Sequence, residues 1–217
     1  MILSSLWRSF QTQFDHKSYT AMSAKKEASV INHLLQLDAH YSRMLYISED
    51  VVGAKALHQC RRLFRALEWS CHGVPWLVAA IAGIAVGHVM SLHGLFTYCV
   101  VLLAYLLLDL VVIASFKLFA RRPRPCYNAG DMPLSASKVD QFSFPSGHCT
   151  RAFMLLTFFL RDVTSPLYVV GLVGMAVAVG LSRVMLGRHY VLDIMAGMCI
   201  GVVVGSVPLA NILGLNH

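Results

Sequence analysis

The stretch LFTYCVVLLAYLLLDLVVIASF, residues 95–116, decides which kind of fold the chain can adopt. It carries one charged residue, Asp109, and it is long enough to cross a bilayer, which takes about 20 mostly apolar residues in a helix. The whole chain has 217 residues, of which 57% are hydrophobic and 13% charged, and its mean hydropathy is +0.61. This composition is typical of a polytopic membrane protein and excludes an ordinary soluble domain.

Four further apolar stretches are candidate membrane helices, and they cover residues 74–90, 145–160, 167–183 and 193–213. The first of them is joined to the 95–116 run by the short turn SLHG, so these two should form an antiparallel hairpin. The sequence therefore predicts an all-α, polytopic membrane bundle of about five transmembrane helices, formed by residues 73–217.

Residues 1–72 are polar and basic and are predicted to form a separate cytosolic region. Apolar residues recur at helical spacing between positions 30 and 45, which predicts an amphipathic helix that lies on the membrane or packs on the bundle. A helix that simply faces solvent fits the same spacing.

The net charge of +7 is compatible with binding to nucleic acid, but no nucleic-acid motif accompanies the basic residues, which flank apolar segments instead. Anionic membrane lipids and phosphate groups are the expected partners. The six cysteines have neither the pairing nor the spacing of a zinc site or a disulfide framework, so we interpret them as reduced thiols.

Five spans place three polar segments on one face of the membrane: KLFARRPRP (117–125), PSGH (145–148) and SRVMLGRHYVLD (182–193). Each adjoins the end of a predicted helix. Lys117, Arg124 and Arg183 can supply the positive field that a phosphoryl group requires during transfer. A proline at the start of PSGH favours a helix first turn, so the N–H groups of Ser146 and Gly147 should be free to bind an oxyanion.

The histidines of these segments are candidates for the chemistry itself. His189 and Asp193 are four residues apart, so on a helix the carboxylate can orient the imidazole as a nucleophile. His148 can protonate the leaving group. Because Asp193 is the only carboxylate in the three segments, we predict catalysis without a metal or other cofactor.

Together the segments match KxxxxxxRP, PSGH and SRxxxxxHxxxD, and the chain thereby resembles the type 2 phosphatidic acid phosphatase, or lipid phosphate phosphatase, superfamily. The resemblance implies a metal-independent helical enzyme with a phosphohistidine at His189, an orienting Asp193 and an acid at His148. It also implies a set of phosphate-binding residues: Lys117, Arg124, Ser146, Gly147, Ser182 and Arg183.

The stretches LEWSCHGVPWL, LLLDLVVIASFK, FSFPSGHCTRA and GLSRVMLGRHYVLD are most similar to the polyisoprenoid diphosphate phosphatase branch. That similarity implies presqualene or farnesyl diphosphate as the substrate and an endoplasmic reticulum or nuclear envelope location. Two alternatives stay open: a phosphatase for phosphatidate and other glycerolipid phosphates, and a non-catalytic membrane interaction protein that keeps the phosphatase fold.

Several charged residues lie outside the motifs. Arg121, Arg122 and Arg188 are interpreted as headgroup contacts that follow the positive-inside rule. Asp109, midway along a predicted span, should face the bundle interior, where a packing hydrogen bond is favoured over a role in a substrate pocket.

The distribution of Lys and Arg predicts the orientation of the bundle. Nine of these residues precede the first predicted span, whereas the two connections on the opposite side, SLHG and RDVTS, contribute only Arg161. Cytoplasmic segments carry the excess of positive charge. The N-terminus, and with it the site, should face the cytosol.

Overall fold

The computed structural model describes residues 29–48, 52–128 and 138–215, and within these ranges it contains helices and no β-strand, apart from one isolated bridge. The predicted all-α membrane fold is confirmed. One 3-10 turn covers Lys138–Gln141. The helices are α1 (29–45), α2 (Ala54–Ser70), α3 (Gly73–Val89), α4 (His93–Ala120), α5 (Gly147–Phe159), α6 (Pro166–Met185), α7 (Val191–Ser206) and α8 (Leu209–Ile212).

All five predicted membrane segments form helices, but they differ in length. Within the described residues, three helical segments are long and apolar enough to cross a membrane: Ala54–Val89, which combines α2 and α3, His93–Ala120 and Pro166–Met185. Helix α7 is a shorter apolar helix, and α5 has only 13 residues. Most side chains of α5 are buried among the other helices. The apolar character of this helix therefore reflects its place in the protein core.

Helices α3 and α4 form the hairpin that the SLHG turn predicted. Gly87 of α3 lies against the backbone of Phe96, so closely that a Cβ atom at Gly87 would come within 2.7 Å of the Phe96 nitrogen. Glycine is therefore required here for the two helices to approach each other.

Helices α5 and α7 pack on each other extensively, and their contact depends on three glycines spaced four residues apart: Gly197, Gly201 and Gly205. A Cβ at Gly197 would lie 3.0 Å from the Ser146 carbonyl oxygen, and one at Gly205 would lie 2.9 Å from that of Met154. Small residues at this spacing let helix backbones pack directly on each other in membranes. This packing fixes the start of α5, which carries PSGH, beside the start of α7, which carries Asp193.

The chain divides into two compact units after Tyr41. In the first unit, residues 29–41 are helical, as the spacing between 30 and 45 predicted, and the apolar side chains of Val30, Ile31 and Leu34 are exposed. The second unit begins at Ser42 and contains helices α2 to α8. The predicted division into a cytosolic region, 1–72, and a membrane domain, 73–217, stays a prediction.

Candidate active site

A cavity of about 250 Å³ lies where the ends of α4, α5 and α6 meet. Its wall contains residues from all three polar segments of the sequence. Nine residues spread over 117–193 were predicted to act in catalysis or phosphate binding, and six of them line this one cavity: Lys117, Arg124, Gly147, His148, Arg183 and His189.

The basic residues of the cavity are held in place by hydrogen bonds and ion pairs. Lys117 Nζ lies 3.3 Å from Asp140 Oδ1. Arg124 donates two hydrogen bonds to the carbonyl oxygen of Asp140, at 2.6 and 3.0 Å, and a third to that of Arg188, at 3.0 Å. Burial, with Arg183 nearby, lowers the pKa of Arg124 to about 10, so it is still a cation at neutral pH.

Arg124 reaches the cavity because the residues just before it pair with the segment that precedes α5. Pro123 and Phe142 form an antiparallel bridge, and the Ser143 N–H donates to the Arg122 carbonyl oxygen at 2.8 Å. The prolines of RRPRP disfavour a continued helix and keep this segment extended. Arg124 is thereby carried back over the end of α4, close to Lys117.

His189 is oriented by a backbone carbonyl, and the carboxylate of Asp193 lies close to the same ring nitrogen. Its Nδ1 lies 2.8 Å from the Ser143 carbonyl oxygen and 3.6 Å from Asp193 Oδ2. Because a carbonyl oxygen only accepts hydrogen bonds, Nδ1 carries the proton and Nε2 is the unprotonated nitrogen. Burial, and then the positive charges of Arg124, Arg183 and Lys117, hold the pKa of His189 well below its ordinary value. The ring is therefore neutral and able to act as a nucleophile.

Asp193 also holds other groups around the site. Its Oδ1 lies 2.7 Å from Arg122 Nη1, and its Oδ2 accepts the backbone N–H of Tyr190 at 2.9 Å. The Arg122 guanidinium lies over the Tyr190 ring, with Cζ 4.0 Å from the ring centroid. The interpretation of Arg122 as a headgroup contact is wrong: its side chain is 15% exposed and is paired with Asp193.

His148 is at the start of α5 and lines the cavity. Its Nε2 is buried and has no hydrogen-bond partner among the residues that the structure describes. The N–H groups of Ser146 and Gly147 were expected to be free to bind an oxyanion. The N–H of Ser146 is not free, because it donates to the Asp193 carbonyl oxygen at 3.1 Å. The cavity-lining residues of this first turn are Gly147 and His148, whose N–H groups have no acceptor within the helix.

Two residues implied as phosphate ligands do not line the cavity. Ser146 is fully buried, and the hydroxyl of Ser182 donates to the Val179 carbonyl oxygen, at 2.7 Å, within its own helix. Their contact with phosphate stays a prediction. Helix geometry explains the difference at position 182, since adjacent residues such as Ser182 and Arg183 point about 100° apart around α6.

A buried carboxylate, Glu68 of α2, was not among the predicted site residues. Its Oε1 lies 2.7 Å from Arg183 Nη1, and its Oε2 lies 3.4 Å from Arg188 Nη2. Arg188 is fully buried, so its interpretation as a headgroup residue is also wrong. The sequence feature that could have identified Glu68 is its position, as a single acidic residue at the boundary between the basic region and the first apolar run.

The remaining wall of the cavity is apolar, except for Arg151 and His72. Arg151 Nη2 lies 2.8 Å from Asp109 Oδ2. Asp109 thus faces the bundle interior, as predicted, where it forms an ion pair with Arg151 of α5. The apolar side chains are those of Val74, Leu77, Leu106, Leu110 and Ile113.

Comparison with known proteins gives a family match over more than half of the chain. The model of the PAP2 superfamily matches residues 94–211. The probable lipid phosphate phosphatase beta of Arabidopsis thaliana is 36% identical, over 49% of this chain and 62% of that protein. The decaprenylphosphoryl-5-phosphoribose phosphatase of Mycobacterium tuberculosis is also 36% identical, over 44% of this chain and 51% of that protein. The chain thus spans only about half to three-fifths of the length of these relatives.

The fold is also similar to a solved structure. The crystal structure of a transmembrane PAP2-type phosphatidylglycerolphosphate phosphatase from Bacillus subtilis matches with a TM-score of 0.55 and covers 86% of this chain and 89% of its own. The two sequences are 20% identical, so the likeness concerns the fold.

Proposed function

Because the chain belongs to the PAP2 superfamily, we propose that it is a membrane phosphatase that removes phosphate from lipid phosphates or diphosphates without a metal. One observation supports this proposal above all. The cations Lys117, Arg124 and Arg183 line the same cavity as His148 and His189, and part of the cavity wall is apolar. The cations suit the phosphate, and the apolar wall suits the start of a lipid tail.

The proposed reaction has two steps. Nε2 of His189 attacks phosphorus, a P–N bond forms, and the bond between phosphorus and the leaving oxygen breaks. His148, protonated when substrate is bound, gives its proton to that oxygen. Water then attacks the phosphohistidine while His148 takes a proton from it, which releases inorganic phosphate and restores His189.

The surrounding charges support this assignment. The cavity wall has four cationic side chains, Lys117, Arg124, Arg151 and Arg183, against two carboxylates, Glu68 and Asp140. The excess of positive charge stabilises the negative charge on the equatorial oxygens of the phosphoryl group throughout the transfer. A histidine with a lowered pKa is already neutral in the free enzyme, so no proton has to be removed before it attacks.

Polyisoprenoid diphosphates, such as presqualene or farnesyl diphosphate, are the substrates we propose. The support is the resemblance of four stretches of the chain to that branch. A relative named for a decaprenyl phosphate compound is consistent with a polyisoprenoid tail. Phosphatidate is the alternative, and phosphate release from farnesyl diphosphate, presqualene diphosphate and phosphatidate by the purified protein distinguishes between the two.

Chelation is expected to leave activity unchanged, within about 2-fold, because the reaction as proposed uses protein cations in place of a metal. Among the residues that the structure describes, no three His, Cys, Asp or Glu side chains are grouped as metal ligands. Vanadate should inhibit by adopting the five-coordinate geometry of the transition state. The measurement is phosphate release with EDTA and with vanadate; a loss on chelation that magnesium restores contradicts the proposal.

We also propose that the site opens to the cytosol, with the protein in the endoplasmic reticulum or nuclear envelope. The positive charge preceding the first span supports this orientation. A glycosylation acceptor placed in a spacer within the SLHG turn should then receive a glycan, and one placed within residues 131–137 should not. Glycan on the second site but not the first reverses the orientation.

A further inference from the structure

The cavity contains more positive charge than one phosphate group needs. Arg151 of α5 lines it, together with His72 and Gly73 from the junction of α2 and α3. The three motifs of the sequence contain none of these residues. An arginine within an apolar helix is costly in a membrane, and such a residue most often marks a site.

Arg151 lies in a second layer of the cavity, beneath the one that contains His189. It is three residues after His148, so it shares a face of α5 with His148 and is about 4.5 Å further along the helix axis, away from the membrane face where α5 begins. Leu106 and Leu110, about two to three turns before Lys117 along α4, belong to the same deeper layer. A substrate whose terminal phosphate contacts Lys117 and Arg124 would therefore place its next group beside Arg151.

Arg151 retains hydrogen-bond donors for such a group. A guanidinium has five N–H donors. The Asp109 ion pair uses Nη2, at 2.8 Å, and the Cys71 carbonyl oxygen lies 3.5 Å from Nη1. Nε is buried and has no partner among the described residues. Asp109 compensates the charge of Arg151 and leaves part of the guanidinium available.

His72 adds a second donor next to Arg151. Its Nδ1 accepts the Val74 N–H at 3.3 Å, so in the neutral ring Nε2 carries the proton. Its ring centroid is 5.7 Å from that of His148. Gly73 allows the close approach of this segment, because a Cβ there would lie 3.1 Å from Arg151 Nη1.

We propose that Arg151 and His72 form a second phosphate subsite, which binds the phosphate attached to the lipid when the substrate is a diphosphate. This inference rests on the proposed function. His189 attacks the terminal phosphorus, the bridging P–O bond breaks, and the bridging oxygen keeps the electron pair and takes the proton of His148. The leaving group is a lipid monophosphate, and Arg151 compensates its negative charge. Arg151 thereby determines the preference for diphosphates over monophosphates.

The test compares farnesyl diphosphate with farnesyl monophosphate, because the two substrates share one tail. The main variant is Arg151→Leu with Asp109→Leu, which removes the ion pair without leaving a buried carboxylate unpaired. The ratio of kcat/KM for the diphosphate to that for the monophosphate should fall by about 10- to 100-fold, as for the loss of a charged hydrogen bond. Arg151→Lys, which keeps the charge but not the fork of donors, should give a smaller fall.

Arg161→Leu is the matched control, since Arg161 follows the other end of α5 and bonds the Val207 carbonyl oxygen outside the cavity. It should leave the ratio unchanged. Equal losses for both substrates in the Arg151 variants show a merely structural role and overturn the inference, while the proposed function survives. No phosphate release from either substrate by the unmodified protein overturns the proposed function and the inference with it.

A measurement on the unmodified protein covers the case in which the variants fail to fold. Methylenediphosphonate, which cannot be hydrolysed, should inhibit farnesyl monophosphate hydrolysis at least about 10-fold more strongly than methylphosphonate, since it can contact both layers of the cavity. Equal inhibition by the two compounds overturns the second subsite.

Discussion

His189→Ala is expected to lower kcat for every phosphorylated substrate by about 10⁴-fold or more, because it removes the atom that forms the covalent intermediate. The geometry around His189 supports its role as the nucleophile. Nδ1 of the ring bonds the Ser143 carbonyl oxygen at 2.8 Å, so the unprotonated nitrogen is Nε2, and His189 lines a cavity together with Arg183 and Lys117. Loss of an activated nucleophile leaves only the rate that binding and charge stabilisation provide.

The control for this variant is His93→Ala, which changes an exposed histidine at the start of α4, outside the cavity. It should keep the activity of the unmodified protein. Both variants should be checked for the same elution and thermal unfolding in detergent. Residual activity of His189→Ala within about 10-fold of the unmodified protein would mean that another group attacks phosphorus.

His148→Ala is expected to give the second-largest effect, and that effect depends on the leaving group. For a lipid substrate, kcat should fall by about 10²- to 10⁴-fold, since an alkoxide or phosphate oxygen leaves poorly without a proton. For nitrophenyl phosphate the fall should be much smaller, because nitrophenolate leaves without one. His189→Ala should disable both substrates equally.

The comparison of the lipid substrate with nitrophenyl phosphate shows whether His148 acts as an acid or merely shapes the cavity. His148 is well placed for the role, as it is the first-turn residue of α5 in a cavity shared with His189, and its Nε2 has no partner among the described residues. Equal damage to both substrates in His148→Ala contradicts the acid assignment, whatever its size.

The sequence predicted the residues that the motifs contain, and it did so because motif spacing reflects helix ends. Lys117 ends a long apolar helix, and His189 precedes another, so both had to lie on the same membrane face. The cavity brings them together, as predicted. The length of the apolar runs likewise predicted each of the five membrane segments, although it did not distinguish the short buried α5 from a helix that faces lipid.

The partners of the motif residues could not be predicted in the same way. Glu68 pairs with Arg183 across 115 positions of sequence, and no local pattern encodes that contact. As basic residues beside apolar runs, Arg122 and Arg188 have the pattern of headgroup contacts, but their side chains form ion pairs with the buried carboxylates of Asp193 and Glu68. The Ser143 carbonyl that orients His189 belongs to the backbone, so no residue type signals it.

Trapping of the covalent intermediate tests directly whether His189 attacks phosphorus. The protein is mixed rapidly with farnesyl diphosphate labelled with ³²P in the terminal phosphate, quenched in base, where a phosphohistidine persists, and digested for peptide mapping. We expect label on the peptide that contains His189, its loss in acid, and its absence from His189→Ala. Turnover without any labelled peptide, or label on another residue, would show that His189 is not the nucleophile.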